Sequence, residues 1–430
     1  QHLDELKQHG ICPIDIVVCN LYPFVATISN PETTEAQAVE EIDIGGVTLL
    51  RAAAKNFESV VVICDPADYG SILRDLASGA VGIEERKRLA LKAFRHTAAY
   101  DAAIASWLGG IVEDDAALPG TINLSAEQVQ LLRYGENPHQ QAAFYQWSGS
   151  PAAFTQRQGK ELSYNNIVDL DAAWAMPQEF SNPAVAIIKH TNPSGLASGD
   201  NLVDAYRKAF ECDPVSAYGS IVAVNRRVDL DLAEEIGSLF VEVLVAPDYS
   251  AEALAWLANH KKNCRVMVAN HDVAHGMPRD LVLRSAAGGL LVQTVDDRGV
   301  DESTWTVVTK RQPTEAERAG LRFAWLAVKQ VKSNATVLVK DNATVGVGAG
   351  QMNRVDSVYL AVRRAGERAA GSVMGSDAFI PFPDSIEAAA QAGVTACIQP
   401  GGSMRDEEAI AAADRLGMAM VFTGERHFKH

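Results

Sequence analysis

Five aliphatic residues, Ala184-Val185-Ala186-Ile187-Ile188, run straight into Lys189-His190 and then into Thr191-Asn192-Pro193-Ser194-Gly195. The aliphatic run reads as a buried strand and the residues after it as a turn. Histidine exchanges a proton near neutral pH, and a neighbouring lysine supplies a point charge for an anion. In open α/β sheets, ligands collect outside the carboxyl ends of strands. A strand that delivers Lys189 and His190 to such an end predicts proton transfer on an anionic substrate. An isolated Lys-His pair elsewhere would be read as two solvated polar residues.

Other segments are equally dense in functional side chains. Residues 133–140, RYGENPHQ, place Arg133, Tyr134 and His139 in a turn-rich loop. A guanidinium suits phosphate, although an ordinary surface turn built on Asn-Pro would look similar. Residues 163–166, SYNN, form a second polar loop containing Asn165. Residues 345–354, VGVGAGQMNR, invite a dinucleotide reading, but Gln351 occupies the third glycine position of the fingerprint. A tight strand-to-helix turn with Arg354 ready for an anion is the better account. The terminal residues 424–430, GERHFKH, are unusually rich in functional groups for a terminus, where fraying is the ordinary expectation. Nearer the start, Cys19-Asn20-Leu21-Tyr22-Pro23-Phe24 follows a strand-like run, and Asp43 precedes Gly45-Gly46 at the start of a helix ending near Lys55. A Gly-Gly pair before a helix can cradle a phosphate, but a plain loop is its commoner role.

The elements that must carry these groups alternate, which predicts an α/β fold. Residues 14–19 and 59–64 read as strands, with helices over 31–41 and 47–55. Residues 84–107 read as a long amphipathic helix. Gly109-Gly110, Asp114-Asp115 and Pro119-Gly120 then interrupt the pattern, so a linker is expected at 109–124, separating domains at 1–115 and 116–430. The second part carries traces of a duplication. Tyr218-Gly219-Ser220 and Met374-Gly375-Ser376 open similar stretches about 155 residues apart, as repeat analysis would seek. Lys189–Asn192 and Lys332–Asn334 sit at a comparable offset.

At 430 residues the chain is long enough for two or three domains. Its net charge of −16 opposes general nucleic-acid or membrane-surface binding, so an anionic substrate must be met by local cations. No apolar run reaches the length of a membrane span, roughly 20 residues, and no signal peptide opens the chain. Six scattered cysteines without a CxxC pair predict reduced thiols rather than disulfides or zinc. The first residue is Gln1, not Met, which suggests an upstream piece.

Taken together, RYGENPHQ, IIKHTNPSG, AYGS, KSNA, GVGAGQMNR, GSDAFIPF and ERHFKH, in this order along the chain, resemble one family. It is the bifunctional purine-biosynthesis family that joins an aminoimidazole carboxamide ribonucleotide (AICAR) transformylase to an inosine monophosphate (IMP) cyclohydrolase. The resemblance implies a cyclohydrolase domain of methylglyoxal-synthase type, followed by a transformylase of two cytidine-deaminase-like α/β/α subdomains without zinc. It implies formyl transfer from 10-formyltetrahydrofolate to the 5-amino group of AICAR, then ring closure to IMP. Lys189 and His190 match the catalytic pair. Asn334 would hold His190 in the right tautomer or bind the oxyanion. Arg133, Tyr134, His139, Asn165, Gly219, Arg354, Arg426 and Phe428 match ribonucleotide-binding positions, and Glu242 replaces a family aspartate. Tyr22, Asp43 and Lys55 match the ring-closing residues, with Asn20 beside them as a substrate contact. The cyclohydrolase's phosphate-binding segments would precede this sequence, so inefficient ring closure by these 430 residues alone is expected. A potassium site is implied, with Asp377 and His430 as its candidates, and so are a cytoplasmic homodimer and no nucleic-acid or membrane partner. Two rival readings are a zinc nucleoside deaminase, opposed by the lack of HxE and PCxxC ligands, and a non-catalytic nucleotide-binding scaffold, opposed by the presence of both Lys189 and His190.

Overall fold

The computed structural model describes residues 2–112, 118–270 and 281–430. By packing, the chain divides into two compact units, residues 1–127 with 145–150 and residues 128–144 with 151–430. Part of the expected linker, residues 113–117, lies outside the described residues. Its first residues do not break the chain. Gly109 and Gly110 lie inside a helix that runs to Val112, where a glycine costs only about 1 kcal/mol relative to alanine.

In the first unit, strand β1 (Ile16–Val18) pairs in parallel with β2 (Val61–Ile63). Helix α1 (Gly45–Lys55) and the long helix α2 (Ile83–Val112) pack on them. Leu50, Ala53 and Ala54 of α1 meet Leu89, Ala90 and Ala93 of α2 over Val61, Val62 and Ile63. These spacings, three and four residues apart, put the apolar groups of each helix on one face.

The second unit is built on a twelve-stranded mixed sheet. Its first half comprises β3 (Phe154–Gln158), α3 (Tyr164–Gln178), β4 (Ala184–Lys189), β5 (Asn192–Ser198), α4 (Leu202–Cys212), β6 (Ser220–Val224), α5 (Leu230–Glu235), β7 (Val241–Ala246), α6 (Ala251–His260) and β8 (Arg265–Ala269). The second half comprises β9 (Thr306–Val307), α7 (Glu315–Lys329), β10 (Thr336–Lys340), β11 (Ala343–Gly348), α8 (Arg354–Ala365), β12 (Val373–Ser376), α9 (Asp384–Gln391), β13 (Ala396–Gln399), α10 (Asp406–Leu416) and β14 (Ala419–Phe422). The strand order is β9-β14-β13-β12-β10-β11-β5-β4-β6-β7-β8-β3. Each half therefore repeats one arrangement: a helix, an antiparallel hairpin, then parallel strands joined by helices. The halves join where β5 pairs with β11. Helices α3 and α7 cover one face of the sheet through a common core that includes Trp174 and Trp325. Helices α4 to α6 and α8 to α10 cover the other face over separate cores.

The repeat corrects the sequence alignment of the halves. The hairpin turn at His190-Thr191 corresponds to Asp341-Asn342, since all four residues have positive φ and each pair joins the first two strands of its half. Lys332–Asn334 instead leads into β10, so it is not the counterpart of Lys189–Asn192.

Candidate functional site

His190 and Thr191 form the two-residue loop between β4 and β5, with φ of 52° and 59°. Two consecutive left-handed residues suit the twist of a hairpin, but non-glycine residues disfavour them. Asp169, on α3, compensates. Its Oδ1 accepts the Thr191 N–H at 2.7 Å and its Oδ2 accepts the His190 N–H at 3.3 Å. The start of α3 is set by a capping box between Ser163 and Asn166. One helical turn before Asp169, the Asn165 side chain donates to the Glu136 carbonyl at 3.5 Å. Residues four apart share a helix face, so one face of α3 ties the 133–140 loop to the Lys189-His190 turn. In that loop the Arg133 guanidinium lies over the Tyr134 ring at 5.7 Å, and His139 is exposed.

Lys189 is the last residue of β4, and its Nζ donates to the Tyr218 carbonyl at 2.7 Å. An ammonium has three N–H donors, so two remain for a ligand. Next to Tyr218, Gly219 has φ of 74° and donates its N–H to the Phe240 carbonyl. Glu242, nearby on β7, is committed to Arg265 at 2.5 Å and does not stand open.

The second half reaches the same sheet end. The β5–β11 register pairs Ala197 with Ala343. Continued along both strands, it brings Asn192 beside the end of β11. Asn192 bridges the two halves: its Oδ1 accepts the Lys332 N–H at 3.1 Å, while its Nδ2 donates to the His190 carbonyl at 3.0 Å. Arg354, expected to be ready for an anion, is instead buried. Its guanidinium donates to Asp377 at 2.5 Å, Ser376 Oγ at 2.8 Å and Asn334 Oδ1 at 2.8 Å. The Asn334 amide also donates to the Gln351 carbonyl at 2.9 Å, so it is committed to Arg354 and Gln351 rather than to His190. The Asp377 carboxylate, fully buried, further accepts from the Ala335 N–H and the Ser333 hydroxyl. Its oxygens are occupied by protein donors, and His430 joins this region through its main-chain carbonyl, which accepts from Lys332 Nζ. Among the described residues, no group of three or more His, Cys, Asp or Glu side chains could hold a metal ion.

The carboxyl-terminal residues are ordered by specific contacts. The His427 N–H donates to the Asp377 carbonyl, and the main chains of Ser333 and Lys429 are linked. Arg426 lies over the Phe428 ring at 4.4 Å, and both side chains are exposed. Burial holds the Lys429 ammonium below its usual range, as it does Lys332, where Arg284 adds repulsion.

In the first unit, Asp43 Oδ1 accepts the Gly46 N–H at 2.6 Å and Oδ2 accepts the Tyr22 N–H at 3.4 Å. An alanine at Gly46 would put its Cβ 2.5 Å from that carboxylate, so the glycine is what lets Asp43 sit over the start of α1. Tyr100, which sequence reading passed over, accepts from the Asp43 N–H and donates to the Glu41 carbonyl. Asn20 accepts from the Tyr69 hydroxyl at 3.4 Å. Lys55 closes α1 at its other end, about 15 Å along the axis at 1.5 Å per residue.

The AICARFT/IMPCHase bienzyme family model matches residues 53–364. The chain is 51% identical over 435 aligned positions to the bifunctional purine biosynthesis protein PurH of Bacillus subtilis (strain 168), covering 100% of this chain and 84% of that protein. The PurH of Halalkalibacterium halodurans is 52% identical with the same coverage. A solved structure described as the crystal structure of ForH aligns with 26% of this chain and 59% of its own, at 38% identity and a TM-score of 0.22, too limited a match to bear on the fold.

Proposed function

Because this chain belongs to the AICARFT/IMPCHase bienzyme family, we propose that the Lys189-His190 turn and the groups around it form its formyl-transfer centre. The chain's function is purine biosynthesis through AICAR formyltransferase and IMP cyclohydrolase activities. A reduced folate is the co-substrate, which we take to be 10-formyltetrahydrofolate.

The 5-amino group of AICAR is a poor nucleophile because its lone pair is delocalised toward the carboxamide. Bringing it against the formyl carbon and removing its proton as the bond forms lowers the barrier. His190 takes that proton. Lys189, tethered through one N–H to Tyr218, directs its remaining donors at the negative charge growing on the formyl oxygen. The bond from the formyl carbon to the folate nitrogen then breaks, and that nitrogen regains a proton. A positioned acid or base of this kind contributes about 10²–10⁴-fold. Arg133, Tyr134, Asn165, Arg426 and Phe428 bind the ribonucleotide. Arg354 and Asn334 support the site from within, as their buried bonds indicate.

The observation that carries this reading is the grip of Asp169 and Asn192 on a strained turn bearing a histidine. Its test is tetrahydrofolate release from 10-formyltetrahydrofolate with AICAR. Lys189→Ala and His190→Ala should each abolish most turnover while keeping the fold, and near-normal turnover in either folded variant would sink the assigned roles.

For ring closure we assign Tyr22, Asp43 and Lys55, with the Tyr22 N–H donating to the Asp43 carboxylate and Asn20 nearby. A methylglyoxal-synthase-like first domain and two cytidine-deaminase-like subdomains fit the parallel β1–β2 pair and the repeated halves. A homodimer is favoured by exposed apolar side chains, Val215 at 86%, Met352 at 101% and Met404 at 104%. No helix of the described residues is long and apolar enough to cross a membrane, and the six cysteines are free. Both agree with a cytoplasmic enzyme, and the charge of −16 with one that does not bind nucleic acid. The donor set around Asp377 does not fit potassium as a pair with His430, so no step is assigned to an ion there.

A further inference from the structure

The last residues alternate in exposure: Glu425, His427 and Lys429 are partly or fully buried, and Arg426, Phe428 and His430 are exposed. Period-two alternation is what an extended backbone produces when one side is anchored. The anchors on the buried side are specific. Glu425 pairs with Arg298 at 2.5 Å. His427, 2% exposed, has its Nδ1 2.6 Å from Asp296 and its ring 4.8 Å from that of Trp325. Lys429 Nζ donates to Gln330 at 2.8 Å. The segment carrying Asp296 and Arg298 is itself pinned, because the Arg298 carbonyl accepts from the buried Lys329 Nζ at 2.9 Å. Arg426 thus lies between two charged rungs, with Phe428 directly after the second.

We propose that this clasp between residues 296–298 and 425–427 positions Arg426 and Phe428 for the ribonucleotide, with Asp296 and His427 as positioning residues. The proposal rests on the reading of Arg426 and Phe428 as ribonucleotide contacts. Without the clasp the tail would sample many conformations, and binding would then carry the cost of ordering it. With it, the Arg426 guanidinium is stacked and oriented before the ligand arrives. The clasp acts on the nucleotide side of the reaction only, since its exposed face is the Arg426–Phe428 pair.

Asp296 is the position to change, because its side chain is 44% exposed and truncating it removes no buried apolar packing; urea unfolding of the variant checks that the fold persists. The dissociation constants of AICAR and of the reduced folate are measured calorimetrically on the full chain. Asp296→Ala should weaken AICAR roughly tenfold, about the effect of losing preorganisation of one charged contact, and leave the folate within about twofold. Asp296→Asn, which keeps an acceptor for the imidazole N–H, should recover most of the loss. In an Arg426→Ala background, Asp296→Ala should add less than about twofold, as expected when one residue acts through the other. Unchanged AICAR affinity in Asp296→Ala overturns the clasp while leaving the site intact, as does an equal loss in both backgrounds or a parallel loss of folate affinity. If Arg426→Ala by itself leaves AICAR affinity unchanged, the assignment of Arg426 fails, and the clasp proposal with it.

Discussion

At the scale of single residues, Asp169 illustrates how the turn that bears the proposed base is held. His190 cannot choose its direction, because it sits in a left-handed turn that its own side chain disfavours. The carboxylate of Asp169 offsets that cost with two hydrogen bonds to the turn. Asp169→Ala should therefore lower kcat for formyl transfer about 10–100-fold, the scale on which small misplacements act, while the fold persists. Steady-state kinetics beside far-UV circular dichroism will check this, and wild-type kcat would show that the turn holds itself. Lys189 and His190 were readable in the sequence because the chemistry of a side chain is local. Asp169 was not, because it occurs in a helix with no motif of its own and its partners lie 21 and 22 residues away.

At the scale of elements, the glycines that the sequence places in a tight strand-to-helix turn have a packing role. A Cβ at Gly346 would lie 2.1 Å from the Ala361 carbonyl oxygen, and one at Gly348 would lie 1.9 Å from that of Ser357. These glycines let α8 lie directly on β11. Gly348→Ala should force the helix outward and cost about 1–3 kcal/mol, as overpacking does, read as a lower midpoint in urea unfolding. Arg354, at the start of the same helix, pairs with the fully buried Asp377. Arg354→Ala would strand that carboxylate, and a loss of about 3–5 kcal/mol is expected from such breaks; a loss of only about 1 kcal/mol, well below that range, would show the arginine is poised for ligand instead. The start of α7 offers a pH test. Burial raises the Glu317 pKa, but hydrogen bonds from Arg311, the Thr314 N–H and Thr395 outweigh it and hold the carboxyl at about 2. The folded value is below the ordinary 4.5, so the stabilisation is complete above 4.5 and is lost as pH falls toward 2. Glu317→Gln should flatten the decline in stability across that acid window, measured by urea unfolding at successive pH values. An unchanged decline would assign it to other carboxylates.

At the scale of the whole molecule, β5 and β11 join the two halves of the second unit into one sheet. That continuous sheet carries the Lys189-His190 turn, Asn334 and the terminal strap to a common end. The homodimer is proposed from the family resemblance, twofold dimers being the commonest oligomers, and the fully exposed Met352 and Met404 are positions at which to probe it. Sedimentation should give twice the 46.1 kDa chain mass, and Met352→Asp with Met404→Asp should yield monomers with reduced formyl transfer. A fully active wild-type monomer would reject the interface. The sequence by itself determined the α/β class, the family and the groups able to do chemistry, since periodicity, motif order and side-chain type are properties of short stretches. It also showed the repeat, though with the wrong counterpart for the Lys-His turn. Tertiary structure decided which polar groups stay exposed and which hold the scaffold. Arg354, Asn334 and Glu242 read as contacts but have partners of their own, and Asp296, which no motif marks, pairs with His427 of the terminal strap. The reason is physical: the free energy of a charged or hydrogen-bonding side chain depends on its burial and its partner, and folding sets both through segments as much as 157 residues away.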